Sequence, residues 1–231
     1  MKKIFLTTVM LFSFSFANED LYLTINGCKL EPSTSCPNVD LSNKDLSNLD
    51  LNNANFEGAN FESSILQGTN LRKANLKGAN FKNANASHAI LVDAVFLKAN
   101  LENANFARAD MRHANLKVVK AKNTNFDGIN GWALFGQGGT YDGSSFHGAN
   151  LNFSRMSGSS MQNCNLEAVN LEASWMPKVN FSGSNLRNAN LQEVKFGDSS
   201  FYKADLTNAR IHYANFVNVH MVECTNCPTD W

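Results

Sequence analysis

Residues Ala54–Asn85 read ANFEGANFESSILQGTNLRKANLKGANFKNAN. A large apolar residue returns at every fifth position, as Phe56, Phe61, Leu66, Leu71, Leu76 and Phe81. A small residue stands two places before each of them, and usually an Asn one place before. This period matches neither the roughly 3.6 residues of a helix nor the roughly 2 of a strand. It marks an internal repeat, which must be recognised before any element is assigned.

Outward from this stretch the register runs from Leu41 to Phe126, resumes at Phe146 and continues to Met221. Of these 34 central positions, 32 are Leu, Phe, Met or Ile, with Ala86 and Ala121 the exceptions. Two residues earlier, 32 of 34 are Ala, Ser, Thr, Val or Cys, with Lys44 and Leu49 the exceptions. One residue earlier, 22 are Asn or Asp. Two size restrictions held in one phase mean that the central and the small residue both face inward. The other three positions face out and carry nearly all the Lys, Arg, Glu and Gln. Each unit then makes one flat side and one corner, and four sides close a square coil. Coils stacked at roughly 4.8 Å would align central residues twenty apart, such as Leu51, Leu71, Leu91 and Met111. About nine such coils predict an all-β rod on the order of 45 Å long. Asn and Asp before the centre suit the repeated turns, because their side chains bond nearby backbone.

Units such as Ala59-Asn60-Phe61-Glu62-Ser63, Ala99-Asn100-Leu101-Glu102-Asn103 and Ala189-Asn190-Leu191-Gln192-Glu193 resemble the A-(N/D)-L-x-x consensus of pentapeptide repeat proteins. The resemblance covers residues 39–223 and implies a right-handed quadrilateral β-helix. Its members are functionally diverse, and some mimic duplex DNA and protect a type II topoisomerase. The motif therefore specifies the fold far better than the role.

Residues 1–17, MKKIFLTTVMLFSFSFA, combine a basic start, a short apolar core and Ser15-Phe16-Ala17 as a small-x-small site. That predicts a signal peptide cleaved after Ala17, too short for the roughly 20 residues of a membrane span. The expectation is a periplasmic or secreted protein without stable membrane insertion, in which disulfides are permitted. Residues 18–38 read as a cap on the first coil, stapled by Cys28 and Cys36. In the tail, 224–231, Cys224 and Cys227 can bond locally and tie off the last coil. One CxxC supplies too few ligands for a closed zinc site. Cys164 stands about three coils, or roughly 14 Å, from Cys224, beyond disulfide reach, and reads as a buried free thiol.

Two departures from the pattern hold the candidate binding residues. Between Phe126 and Phe146 the central positions fall on Gly131, Gly136 and Tyr141. Glycine cannot fill a core slot, so a surface loop is expected over about 131–145, in preference to a collapsed coil repacked by Trp132, Leu134 and Phe135. Loops on rigid scaffolds concentrate binding function, which makes Trp132, Phe135 and Tyr141 candidates. The second departure replaces the usual Asn by Arg155, Trp175 and Lys195, each twenty residues apart and therefore in one column, with Lys178 nearby. Arg155 and Lys195 flanking Trp175 invite cation–π contact. The column reads as a patch for an acidic partner or a glycan, or else as a surface ladder satisfied within itself.

Lys+Arg and Asp+Glu both number 20, which excludes a strongly basic nucleic-acid face. His88, His113, His147, His212 and His220 fall on different columns or distant coils, so neither metal nor cofactor is expected. A convex rod offers no deep pocket for catalysis. The expected function is an exported, non-enzymatic scaffold that binds a protein or a glycan. A DNA-mimicking, topoisomerase-binding role would require a cytoplasmic address and an acidic face. A secreted effector, or a carbohydrate-binding module using Trp132 and Trp175, is the third possibility. An exposed terminal coil near Met221 would permit an end-to-end homodimer.

Overall fold

The computed structural model describes residues 22–229. The expected leader, the first residues of the cap and the last two residues of the tail lie outside that range. The described chain opens on a hairpin of β1 (Thr24–Ile25) and β2 (Cys28–Lys29). Asn26 and Gly27 connect them at φ 50° and 76°; two successive positive φ values suit the right-handed twist of a tight hairpin. Cys28 and Leu30 are buried against the core. The Cα atoms of Cys28 and Cys36 stand 5.7 Å apart, within disulfide geometry.

From Ser35 onward the backbone pairs with itself in parallel, always twenty residues ahead, from Ser35↔Asn55 to Asp205↔Thr225. The chain is thus a solenoid of four-sided coils. The five N–H groups that follow Asn55 show how one unit is satisfied. Phe56 N and Gly58 N donate to Asn75 O and Lys77 O of the next coil, at 2.8 and 2.9 Å. Ala59 N closes the turn onto Phe56 O at 3.0 Å, and Asn60 N reaches back to Val39 O at 2.9 Å. The remaining donor, Glu57 N, goes to the Asn55 side chain at 3.3 Å. Every backbone N–H of the unit has an acceptor, as an enclosed segment demands.

Asn before the centre therefore has a defined task, since its Oδ1 accepts the one N–H that the ladder leaves over. Its amide also donates to the Asn of the preceding coil, as Asn75 does to Asn55 at 2.9 Å and Asn80 to Asn60 at 3.0 Å. The turn itself places the second residue after the centre in the left-handed region, as at Asn53 (φ 56°), Lys73 (φ 56°) and Lys98 (φ 62°), the signature of a type II turn. Asn80 combines the Asn60 bond, a second to Glu62 Oε2 at 3.2 Å and acceptance from Lys82 N at 3.1 Å. Asn80→Ala is expected to lower stability by about 1–2 kcal/mol, read as a shifted denaturation midpoint. An unchanged midpoint would show these bonds to be replaced by water without loss.

Inside, the central residues stack in columns. Phe61 lies on Phe81 at 4.7 Å, and Phe126 on Phe146 at 4.8 Å, close to the strand spacing of roughly 4.8 Å. Most hydroxyls at the small inward position are accommodated by a repeated bond to the centre of the coil before. Thr69 Oγ1 donates to Leu46 O, Thr124 Oγ1 to Leu101 O and Ser184 Oγ to Met161 O, at 2.7, 2.7 and 2.6 Å. Such bonds remove the penalty of a buried hydroxyl.

The register continues through 131–145 without a break, through Asn130↔Asn150, Phe135↔Arg155 and Thr140↔Ser160. The expected surface loop is therefore corrected to an ordinary coil. The missing volume at the two glycines is supplied from neighbouring slots. A Cβ on Gly131 would come within 2.7 Å of Leu151 and 3.3 Å of Leu134; Leu134 holds an inward position that is small in most other units. A Cβ on Gly136 would overlap the Met156 sulphur and lie 2.6 Å from the Tyr141 hydroxyl. Tyr141 is wholly buried, its hydroxyl donating to Leu116 O at 3.3 Å, and burial pushes its phenol above the ordinary range.

Candidate functional site

The side on which Asn is lost most consistently is the one that carries the expected column. Before the centre in four successive coils stand Phe135, Arg155, Trp175 and Lys195, each bridged to the next. Phe135, expected in a loop, and the Arg155–Trp175–Lys195 column thus form one continuous line. Without Asn, the N–H after the centre loses its side-chain acceptor. Among the described residues no protein acceptor is paired with the backbone N–H of Gln137, Ser157 or Gly197. In the remaining coil that position is Pro177, which has no N–H to satisfy.

Phe135 lies half-buried beneath two cations: Lys117 Nζ is 5.5 Å from its ring centroid and the Arg155 guanidinium 5.9 Å. The cation–π contact expected of Arg155 at Trp175 is thus made at Phe135. Trp175 stands 54% exposed. Trp132 sits on the adjoining corner, edge-on to His113 at 4.9 Å and to Phe153 at 5.9 Å. Phe153 is 52% exposed and holds the left-handed turn position, φ 59°, an unfavourable conformation for a bulky side chain.

Of these, Phe153, Arg155 and Trp175 line a groove of about 570 Å³ together with Gln137, Ser157 and Ala173. The small Ala173 leaves the wall open between Phe153 and Glu193, which share its corner column. A second hollow with Asp93, His113, Lys117 and Phe135 on its walls adjoins it toward the N-terminus. A third, with Lys195, Tyr213 and Val217, lies beyond it toward the C-terminus. The Gln137 Oε1 and Asn152 Oδ1 atoms on this side are buried without a hydrogen-bond donor. The groove offers rings, a guanidinium, an amide and a hydroxyl. This set of groups makes contacts and hydrogen bonds, and it contains no base paired with a nucleophile.

Tyr141 is corrected from a surface candidate to a core residue, because it fills the slot that Gly136 leaves. Lys178 is exposed at the corner beyond Pro177 (φ 59°) and does not line the groove. Phe153, Gln137 and Lys117 are additions that sequence reasoning missed. The signal for Phe153 is its position, a bulky ring where the turn requires positive φ.

Cys164 occupies an inward small position, with its Sγ donating to Tyr141 O at 3.1 Å. Burial pushes its thiol up to about 12, so it stays protonated and unreactive near neutral pH. A thiol reagent at pH 8 is expected to label Cys164 only after unfolding; labelling of the native protein would contradict this burial. Cys224 and Cys227 stand 5.7 Å apart at Cα. Among the described residues no three His, Cys, Asp or Glu side chains converge on a metal position, and no helix is long and apolar enough to cross a membrane.

The family model for pentapeptide repeats matches residues 40–78, 79–117, 164–201 and 184–221, in eight copies. No curated protein matches the sequence significantly. Among solved structures, the chain is similar to HetL, a pentapeptide repeat protein involved in heterocyst differentiation regulation from the cyanobacterium Nostoc sp. strain PCC 7120. The identity is 21%, the TM-score 0.50, and the match covers 81% of this chain and 86% of HetL. It is also similar to QnrB1, a plasmid-mediated fluoroquinolone resistance protein, at 16% identity and a TM-score of 0.53, covering 83% of this chain and 92% of that one. These likenesses are of fold.

Proposed function

Because the chain belongs to the pentapeptide repeat family, we propose that it acts as an exported, non-enzymatic binding scaffold. On this reading it is a right-handed quadrilateral helix of about nine coils, with its partner docking on the Phe135–Arg155–Trp175–Lys195 side. One observation carries the reading. Asn ladders seal much of the rod, whereas this side gives up Asn in four successive coils and exposes rings and unpaired donors instead. Large exposed aromatics beside a groove mark interaction surfaces on soluble proteins. The disulfide-compatible placement of Cys28 with Cys36, and of Cys224 with Cys227, supports an oxidising compartment. The half-buried Ile211 and Met221 at the last coil support end-to-end pairing as a further contact.

Fractionation of cells expressing the full chain with a C-terminal tag tests the address. A processed product in the exported fraction is expected. An uncleaved cytoplasmic product would overturn export and return a topoisomerase-binding role to consideration.

A further inference from the structure

We propose that the groove on this side takes a neutral, linear oligosaccharide laid along the rod axis. This rests on the reading of that side as the docking surface and names the chemistry of its ligand. Three observations converge on it.

The first is charge. Arg155 is the one charged residue lining the groove, while Lys117 and Lys195 in the adjoining hollows stand against Asp93 and Glu193 in the corner column. A surface left with a single net positive charge attracts a polyanion only weakly, whether nucleic acid or acidic peptide.

The second is the hydrogen-bond inventory. Arg155 and the N–H groups of Gln137 and Ser157 call for acceptors. The Gln137 Oε1, buried without a donor, calls for a donor. A carboxylate serves only the former. A sugar hydroxyl, which donates and accepts, serves both, and drawing the Gln137 amide onto such a hydroxyl recovers the missing bond.

The third is the spacing of the rings. Phe153 and Trp175 line the groove from successive coils and are 52% and 54% exposed; Trp132, on the coil before, stands at 67° to Phe153 and lies outside the lining. Coils rise by roughly 4.8 Å, close to the length of one pyranose unit in an extended chain. Two successive sugars can therefore lay their C–H faces against Phe153 and Trp175, with the polar edge turned toward Gln137, Arg155 and Ser157. The groove volume of about 570 Å³ suits a bound segment of this kind.

Calorimetric titration of the intact protein with chitohexaose and with cellohexaose tests the proposal. Saturable binding to at least one is expected, weakened about tenfold or more by Trp175→Ala and unchanged between roughly 0.05 and 0.5 M NaCl. Trp175 is exposed, so the variant should keep its melting temperature, which separates lost contact from lost fold. Gln137→Leu, which keeps the side chain's bulk, should weaken binding as well. Absence of binding to both sugars overturns the proposal, as does binding that Trp175→Ala leaves intact. Binding of poly-L-glutamate instead, abolished by salt, overturns the glycan assignment while leaving this side as a docking surface for an acidic protein.

Discussion

Gly136→Leu is expected to lower the unfolding free energy by about 2–3 kcal/mol, although Leu is the residue type that the repeat favours at that position. The slot is already full. Tyr141 leans into it, and even a bare Cβ at Gly136 would overlap Met156 and lie 2.6 Å from the Tyr141 hydroxyl. Leucine adds three more carbons to a core packed as densely as an organic crystal. Combining it with Tyr141→Leu vacates the same space and should restore most of the loss. The two changes are therefore strongly non-additive, which a double-mutant cycle on denaturation midpoints measures. A neutral or stabilising Gly136→Leu would mean that the slot is empty and the coil loosely packed.

Phe81→Ala is expected to have a still larger effect, a loss of about 3–5 kcal/mol. Its ring is fully buried and meets Phe61 at 4.7 Å, Phe96 at 5.4 Å and Phe106 at 6.1 Å. Removing it takes out one element of a stack that spans several coils. Each coil of a solenoid touches only its neighbours, so the defect has no alternative packing to draw on. Ile65→Ala, on the same rod but 44% exposed, should stay within about 0.5 kcal/mol and serves as the control. Comparable melting curves for the two variants would contradict the inward assignment of the central position.

The five-residue period made the rod legible because it constrains two side chains of different size at once, which neither a helix nor a flat sheet would require. The Asn column was legible as a turn signal. Its second task, accepting the one leftover N–H, needed the ladder geometry. The segment with Gly131 and Gly136 was misread as a loop because each slot was considered alone. Its repair comes from Leu134 and Tyr141, large residues that look anomalous or ordinary until the slots beside them are seen to be empty. That misreading also hid the place of Phe135 in a column: it stands twenty residues before Arg155 and joins it by the same arithmetic that united Arg155, Trp175 and Lys195. Trp132 was wrongly placed in a loop; it lies on a fixed corner against His113 and Phe153. Gln137 carried no signal at all, since only the depth of the groove distinguishes it from any other surface amide.

The groove depends on the coil running unbroken from Phe126 to Phe146, so that Phe135 stacks on Arg155 and Arg155 on Trp175. Nuclear Overhauser contacts between backbone protons of residues twenty apart read this directly. The account predicts such contacts for Phe135 with Arg155 and Arg155 with Trp175, and 131–145 amides as rigid as those of 71–85. Missing contacts at Phe135, with fast internal motion across 131–145, would contradict it.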